Sequence, residues 1–328
     1  MRVEFSNSIR EIDAADWNSV VHASGAPVFY EHAYVRAYEQ APLTNSDYSG
    51  CFVVRDGEKP VAVLPVYLQT AVNPLRRLHE AYPETVGKPL LLSHTWHCYD
   101  AHVPATADVL PRLLDAFTRA ASVLGAHWYG FVNVERGNAL SRGLSAAGLP
   151  ARHLTDRWAT ELTTYEHYLS KLGIRARANL RRNERRAEEA GVTIEVLPAD
   201  HAALDEISLL CTKTATRFDT NGFYPGSTLT EFVLALGDLV HVIEVRQHDR
   251  LVAAGICLAD ATRFHTWACG VDYAVDGRYS PYGVLFGESV KLAIRLGKTT
   301  LEGGRGNSDF KRRHGLSPRH LDAVLIRV

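Results

Sequence analysis

The segment Glu302-Gly-Gly-Arg-Gly-Asn-Ser-Asp-Phe-Lys-Arg-Arg-His-Gly sets glycines and clustered charge directly after a strand-like run. Glycines let a ligand approach the backbone closely. Lys311 and Arg305 can then offer positive charge to an oxyanion developing on a carbonyl, or to a phosphate. A glycine-rich surface turn with solvated cations is the plainer reading. The spacing is neither a Walker A loop nor GxGxxG.

A second concentration of charge lies upstream. The run from Lys171 to Arg186 holds seven basic residues in sixteen, with Glu184 as its one acid. As a helix it stacks Arg177, Arg181 and Arg185 on one face. Together with Arg175 and Arg182 these offer guanidinium forks suited to phosphate oxygens. The competing reading is a solvated helix balanced by Glu184, Glu188 and Glu189. A third segment, from Gly270 to Phe286, reads as strand, turn and helix. Helix N-termini attract anions, and Tyr282 stands where this helix begins. Trp158, Tyr224 and Phe310 are candidates for a substrate pocket, although such side chains more often fill a core. His94, His97, Cys98 and His102 are the tightest cluster of metal-ligating types, but their spacing matches no zinc module, so no metal is expected. There is no GxSxG elbow.

These residues need a scaffold, and the composition bounds it. The 328 residues allow about two domains. Lys plus Arg is 36 against 37 Asp plus Glu, which excludes coating nucleic acid by bulk charge but not a local basic patch. No apolar run reaches the roughly 18–20 residues of a membrane helix. The N-terminus lacks the apolar stretch of a signal peptide. The five cysteines form no CxxC pair, so a reduced, cytoplasmic protein is expected.

Helical and strand patterns alternate throughout, giving an α/β or α+β class. In the first half, helices are expected at 13–22 and 31–40, a hairpin at 50–56 and 60–68, and loop over 70–104. A helix at 106–124 closed by Gly125 then leads to a strand from Trp128. In the second half, helices are expected at 163–172, 174–190, 201–217, 227–236 and 283–296. Strands are expected from Val192, Val240, Leu251, Thr262 and Thr299. The halves read as a diverged tandem repeat. Val53-Val-Arg-Asp-Gly-Glu-Lys-Pro-Val-Ala parallels Glu244-Val-Arg-Gln-His-Asp-Arg-Leu-Val-Ala, and each half has a later helix ending Leu-Gly before a strand. The expected domains are 1–155 and 156–328.

Taken together, these segments resemble the GNAT acyltransferase superfamily, and within it the tandem-domain Fem-like and BioF-like branch. The resemblance rests on Tyr168-Leu-Ser-Lys-Leu with the Arg-rich helix, on the helix–Gly–strand unit near 283–302, and on Gly304-Arg-Gly-Asn-Ser-Asp-Phe-Lys-Arg-Arg-His-Gly. It implies two GNAT-like domains in tandem, each a mixed central sheet flanked by helices. It implies an N-acyltransferase, with the late Phe310-Lys311 helping to bind the donor and stabilise the transition state. The loop that cradles the CoA pyrophosphate in ordinary members is replaced here by Arg278-Tyr-Ser-Pro-Tyr-Gly-Val, where Pro281 removes an N–H donor. The expected donor is therefore aminoacyl-tRNA, its phosphates held by Arg175, Arg177, Arg181, Arg182 and Arg305, with acetyl-CoA as the alternative. Asp272 and His265 are the candidate bases for the attacking amine, which is a small molecule or a peptide. Cell-wall branching and natural-product tailoring would use the same chemistry. A non-catalytic module that binds a nucleotide or cell-wall precursor is the further alternative.

Overall fold

The computed structural model describes residues 1–70, 76–275 and 277–328, so part of the expected 70–104 loop lies outside the described residues. The chain divides into two units, Met1–Asp156 with Arg319–Val328, and Arg157–Pro318. The expected division had placed all of 156–328 together. The last ten residues instead close the first unit, because their strand pairs there.

The first unit contains β1 (Arg2–Ser6), α1 (Ala14–Ala23), α2 (His32–Gln40), β2 (Tyr48–Asp56), β3 (Lys59–Gln69), α3 (Arg76–Ala81), β4 (Leu90–Ser93), α4 (Leu110–Val123), β5 (Trp128–Glu135), α5 (Ala139–Ala146) and the start of β6 (Arg152–Glu161). The second unit adds α6 (Tyr165–Lys171), α7 (Ile174–Glu189), β7 (Val192–Leu197), α8 (Leu204–Arg217), α9 (Gly226–Ala235), β8 (Val240–Gln247), β9 (Arg250–Ala259), β10 (Arg263–Val271), α10 (Pro281–Arg295), β11 (Thr300–Gly304) and α11 (Ser308–Arg313). The chain ends in β12 (Ser317–Arg327).

The strand order is β1-β2-β3-β4-β5-β12 in the first unit and β7-β8-β9-β10-β11-β6 in the second. In each, the first four strands are antiparallel neighbours, the next pair is parallel, and the sixth strand returns antiparallel. The parallel of the two hairpin sequences extends to their geometry. Both ladders shift register at a Val-Arg step, Val54/Arg55 and Val245/Arg246. At each bulge the arginine Nη1 donates to the carbonyl three residues on, Arg55 to Glu58 at 2.6 Å and Arg246 to Asp249 at 2.8 Å. A bulge of this kind re-aims a side chain, and the same one recurs in both halves.

The core of the second unit lies between its sheet and the helices α6, α7 and α10. Phe264, Ile243, Val245, Val290, Ala293 and Leu301 are all fully buried in it. Helix α10 begins cleanly because Ser280 accepts the Gly283 N–H at 3.1 Å and Pro281 fills the first helical position, where no N–H is needed. On the other side, α8 packs against β10, whose Val271 N–H donates to the Thr214 hydroxyl at 2.9 Å.

Candidate active site

The parallel pair β10 and β11 stays in register only from Arg263↔Thr300 to His265↔Glu302. Beyond that, β10 runs on to Val271 while β11 turns away at Gly304. A bulge between His265 and Ala268 marks the parting on the β9 side. The bulge leaves Trp267 against Phe232 of α9, with ring centroids 5.5 Å apart. Burial raises the pKa of the Cys269 thiol, two residues on, and the nearby Lys311 opposes the rise.

Lys311 occupies this parting. Its side chain is 3% exposed, and Nζ donates to the Arg305 carbonyl at 2.8 Å. An ammonium has three donors, and this bond takes one. Burial pushes its pKa down to about 7, Arg305 adds to the fall, and Cys269 opposes it. The glycine-rich run makes the placement possible. A Cβ at Gly303 would lie 2.5 Å from Leu316 Cδ2 and 3.4 Å from Lys311 Cε. Gly306 turns the chain with φ +75°, a conformation that suits glycine.

Phe310, expected to line a substrate pocket, is partly buried among aromatic rings at the start of α11. Its ring stacks on His314 at 3.8 Å and meets Tyr282 at 4.7 Å and Phe286 at 5.2 Å. Burial, followed by Cys269 and Tyr273, raises the Tyr282 phenol well above its ordinary value, while a hydrogen bond with Asn307 opposes the rise. The phenol therefore stays protonated, a second donor beside the same thiol. Trp158 pairs with Gly304 across β6 and β11, and the Arg312 guanidinium lies 5.5 Å from its ring centroid.

The other expected residues are placed differently. His265 is fully buried at the start of β10, where Nε2 contacts Asp260 Oδ2 at 3.1 Å. Four residues of strand, roughly 13 Å, separate it from Cys269. Burial works to raise the Asp260 pKa, but His265 and Arg263 carry it below its ordinary value. Asp272 is ion-paired with Arg250 and accepts the Ala274 N–H at 3.0 Å, so it shapes the turn after β10. Tyr224 donates to the Trp267 carbonyl at 3.0 Å and so lies on the α9 side. Cys269 went unforeseen, because one cysteine in a strand carries no local signal.

The Arg-rich helix α7 is split in use. Arg175, Arg181 and Arg182 are exposed, and Arg182 bonds to Asn179. Arg177 folds back to the Leu172 carbonyl at 3.2 Å, Arg185 pairs with Glu189 at 3.6 Å, and Arg186 bonds the Arg278 carbonyl at 3.0 Å. Asn183 Oδ1 accepts the Ser280 N–H at 3.3 Å, so α7 caps the approach to α10. A hollow of about 180 Å³ between α7, β7 and α10 is lined by Glu184, Glu188 and Glu288 together with Lys291, which pairs with Glu184 at 2.7 Å, so its charge is acidic on balance. In the first unit, the expected histidine cluster is occupied by hydrogen bonds. His94 contacts the Phe29 carbonyl at 2.6 Å and His102 contacts Asp100 at 2.9 Å.

The model of the acetyltransferase (GNAT) domain family matches residues 175–312, the stretch that holds β10, α10, β11 and Lys311. That match falls inside the second unit, which is thus similar to a GNAT acetyltransferase domain. No curated protein matches the sequence. Among solved structures, FemX is similar in fold, with a TM-score of 0.66 at 11% identity over 98% of this chain and 97% of that one. The C-terminal domain of a putative lysylphosphatidylglycerol synthetase from Agrobacterium fabrum follows at 0.59 and 13%, covering 96% and 92%. A tandem GNAT protein from the clavulanic acid biosynthesis pathway scores 0.53 at 14%, covering 99% and 98%. The fold is thus that of tandem and Fem-like GNAT proteins, as the paired strand orders indicate. Among the described residues, no helix is long and apolar enough to cross a membrane.

Proposed function

We propose that the GNAT domain forms an amide bond by moving an aminoacyl group from charged tRNA to an amine. The amine attacks the ester carbonyl and a C–N bond forms. The C–O bond to the tRNA ribose then breaks, and the amine's proton leaves through a base as the ribose hydroxyl is restored. Lys311, charged, stabilises the oxyanion of the tetrahedral intermediate. Tyr282 stands beside it as a neutral donor. Asp272, just past the end of β10, is the proposed base, and its ion pair with Arg250 must open for it to act. The observation that carries this reading is the buried ammonium held at the parting of two parallel strands.

Two features favour tRNA over CoA as donor. Arg175, Arg181 and Arg182 lie exposed on α7, available to backbone phosphates. The N-terminus of α10 is poorly suited to a pyrophosphate. Pro281 has no N–H, the Ser280 N–H goes to Asn183, and the Gly283 N–H goes to Ser280. The acetyl-CoA reading is supported by the matching family model, whose description is of acetyltransferases.

Incubation with a pool of charged tRNAs, or with acetyl-CoA, and a panel of amines separates the readings. Consumption of charged tRNA dependent on an amine supports the proposal. Consumption of acetyl-CoA alone transfers the chemistry to the second donor. Consumption of neither makes the domain a binding module.

A further inference from the structure

In the first unit, His153 and Asp156 of β6 meet His320 of β12. One ligand atom from each lies within 4.8 Å of the others. His320 Nδ1 is 2.8 Å from Asp156 Oδ1, and His153 Nε2 is 3.8 Å from the same oxygen. Ligands at zinc bond lengths in a tetrahedron stand roughly 3.3 Å apart, so small side-chain rotations complete the set.

A second observation separates this cluster from a chance surface grouping. Asp322 is 7% exposed in its side chain, and its Oδ1 lies 3.6 Å from His153 Nδ1. Arg136 grips that carboxylate through both oxygens, at 3.0 and 2.7 Å. A carboxylate that accepts the far N–H of a histidine fixes its tautomer and turns the other nitrogen toward a metal, and Asp322 stands just outside that hydrogen-bond distance, within ion-pair range of His153. Here Nε2 of His153 is the nitrogen turned toward Asp156.

We propose that His153, Asp156 and His320 bind a divalent transition cation of the zinc class, with Asp322 as the positioning residue for His153. Two imidazoles and one carboxylate are a donor set of borderline softness, favouring Zn²⁺, Co²⁺ or Ni²⁺ over Mg²⁺ or Ca²⁺. The ion would clip the start of β6 to the closing strand β12. The site is structural and independent of the acyl transfer assigned to the second unit.

The test titrates untagged full-length protein with Co²⁺, followed by visible absorption and calorimetry. One saturable site with nitrogen–oxygen d–d bands is expected, together with a Zn²⁺-dependent rise in Tm. His153→Ala and His320→Ala each remove both signals while leaving the metal-free Tm unchanged. Asp322→Asn weakens binding by about 10–100-fold. Absence of saturable binding, or binding that survives either histidine substitution, overturns the proposal.

Discussion

The Lys311 ammonium donates to the Arg305 carbonyl at 2.8 Å, so a helix side chain closes back over the loop that precedes its own helix. This contact holds the charge at a set height within the parted edge of β10 and β11. It costs no side-chain partner and leaves donors for a reacting oxygen. Burial, rather than a counter-charge, governs the group's proton affinity.

With its pKa near 7, Lys311 loses its charge in the range where an acceptor amine gains nucleophilicity. The rate should therefore trace a bell, with a descending limb near pH 7 that belongs to Lys311. Lys311→Arg should carry that limb to higher pH, as measured by kcat/KM against pH. The linkage to stability has a definite sign. Below about pH 7 the lysine is protonated in both folded and unfolded chains, and between there and its ordinary 10.5 only the unfolded chain keeps the proton. Wild-type stability should rise with pH in that window relative to Lys311→Met, as seen in denaturant midpoints.

Gly303→Ala should damage both stability and turnover. The new methyl meets Leu316 Cδ2 at 2.5 Å and presses on the Lys311 stem. Overpacking of this kind costs about 1–3 kcal/mol. A fall in Tm accompanied by a loss of kcat is the expected result.

Arg181→Glu with Arg182→Glu should raise KM for a tRNA donor and flatten its dependence on salt, since fewer phosphate contacts release fewer counterions. Affinity for CoA should not change. Filter binding at several salt concentrations reads both effects.

Arg157 and Glu302 form an ion pair with side chains only 6% and 3% exposed. Removing one partner leaves a buried charge, and Glu302→Leu should cost about 3–5 kcal/mol. Arg157→Met with Glu302→Leu should recover most of that loss. Chemical denaturation of the two single variants and the double variant measures the coupling.

Much of this architecture was legible in local patterns. The Val-Arg bulges lie within the two segments that looked alike, and Gly125 and Gly297 close equivalent helices at φ +69° and +68°. What escaped was short or depended on distant partners. Strand β4 is four residues, Leu90–Ser93, inside a proline-rich stretch. Helix α11 is a six-residue turn that reads as loop. Strand β12 belongs to the first unit only because it finds β5. Lys311 could be singled out because glycine and charge coincide in its segment. The environments of His265 and Asp272 could not be, because Asp260 and Arg250 fix them through tertiary contacts.

The most direct test is a single-turnover comparison of wild-type protein and Lys311→Met, using the donor that the wild type consumes. A drop of about 10²–10³ in the acyl-transfer step, with donor affinity little changed, is what an oxyanion donor predicts. Equal rates in the two proteins would contradict the account.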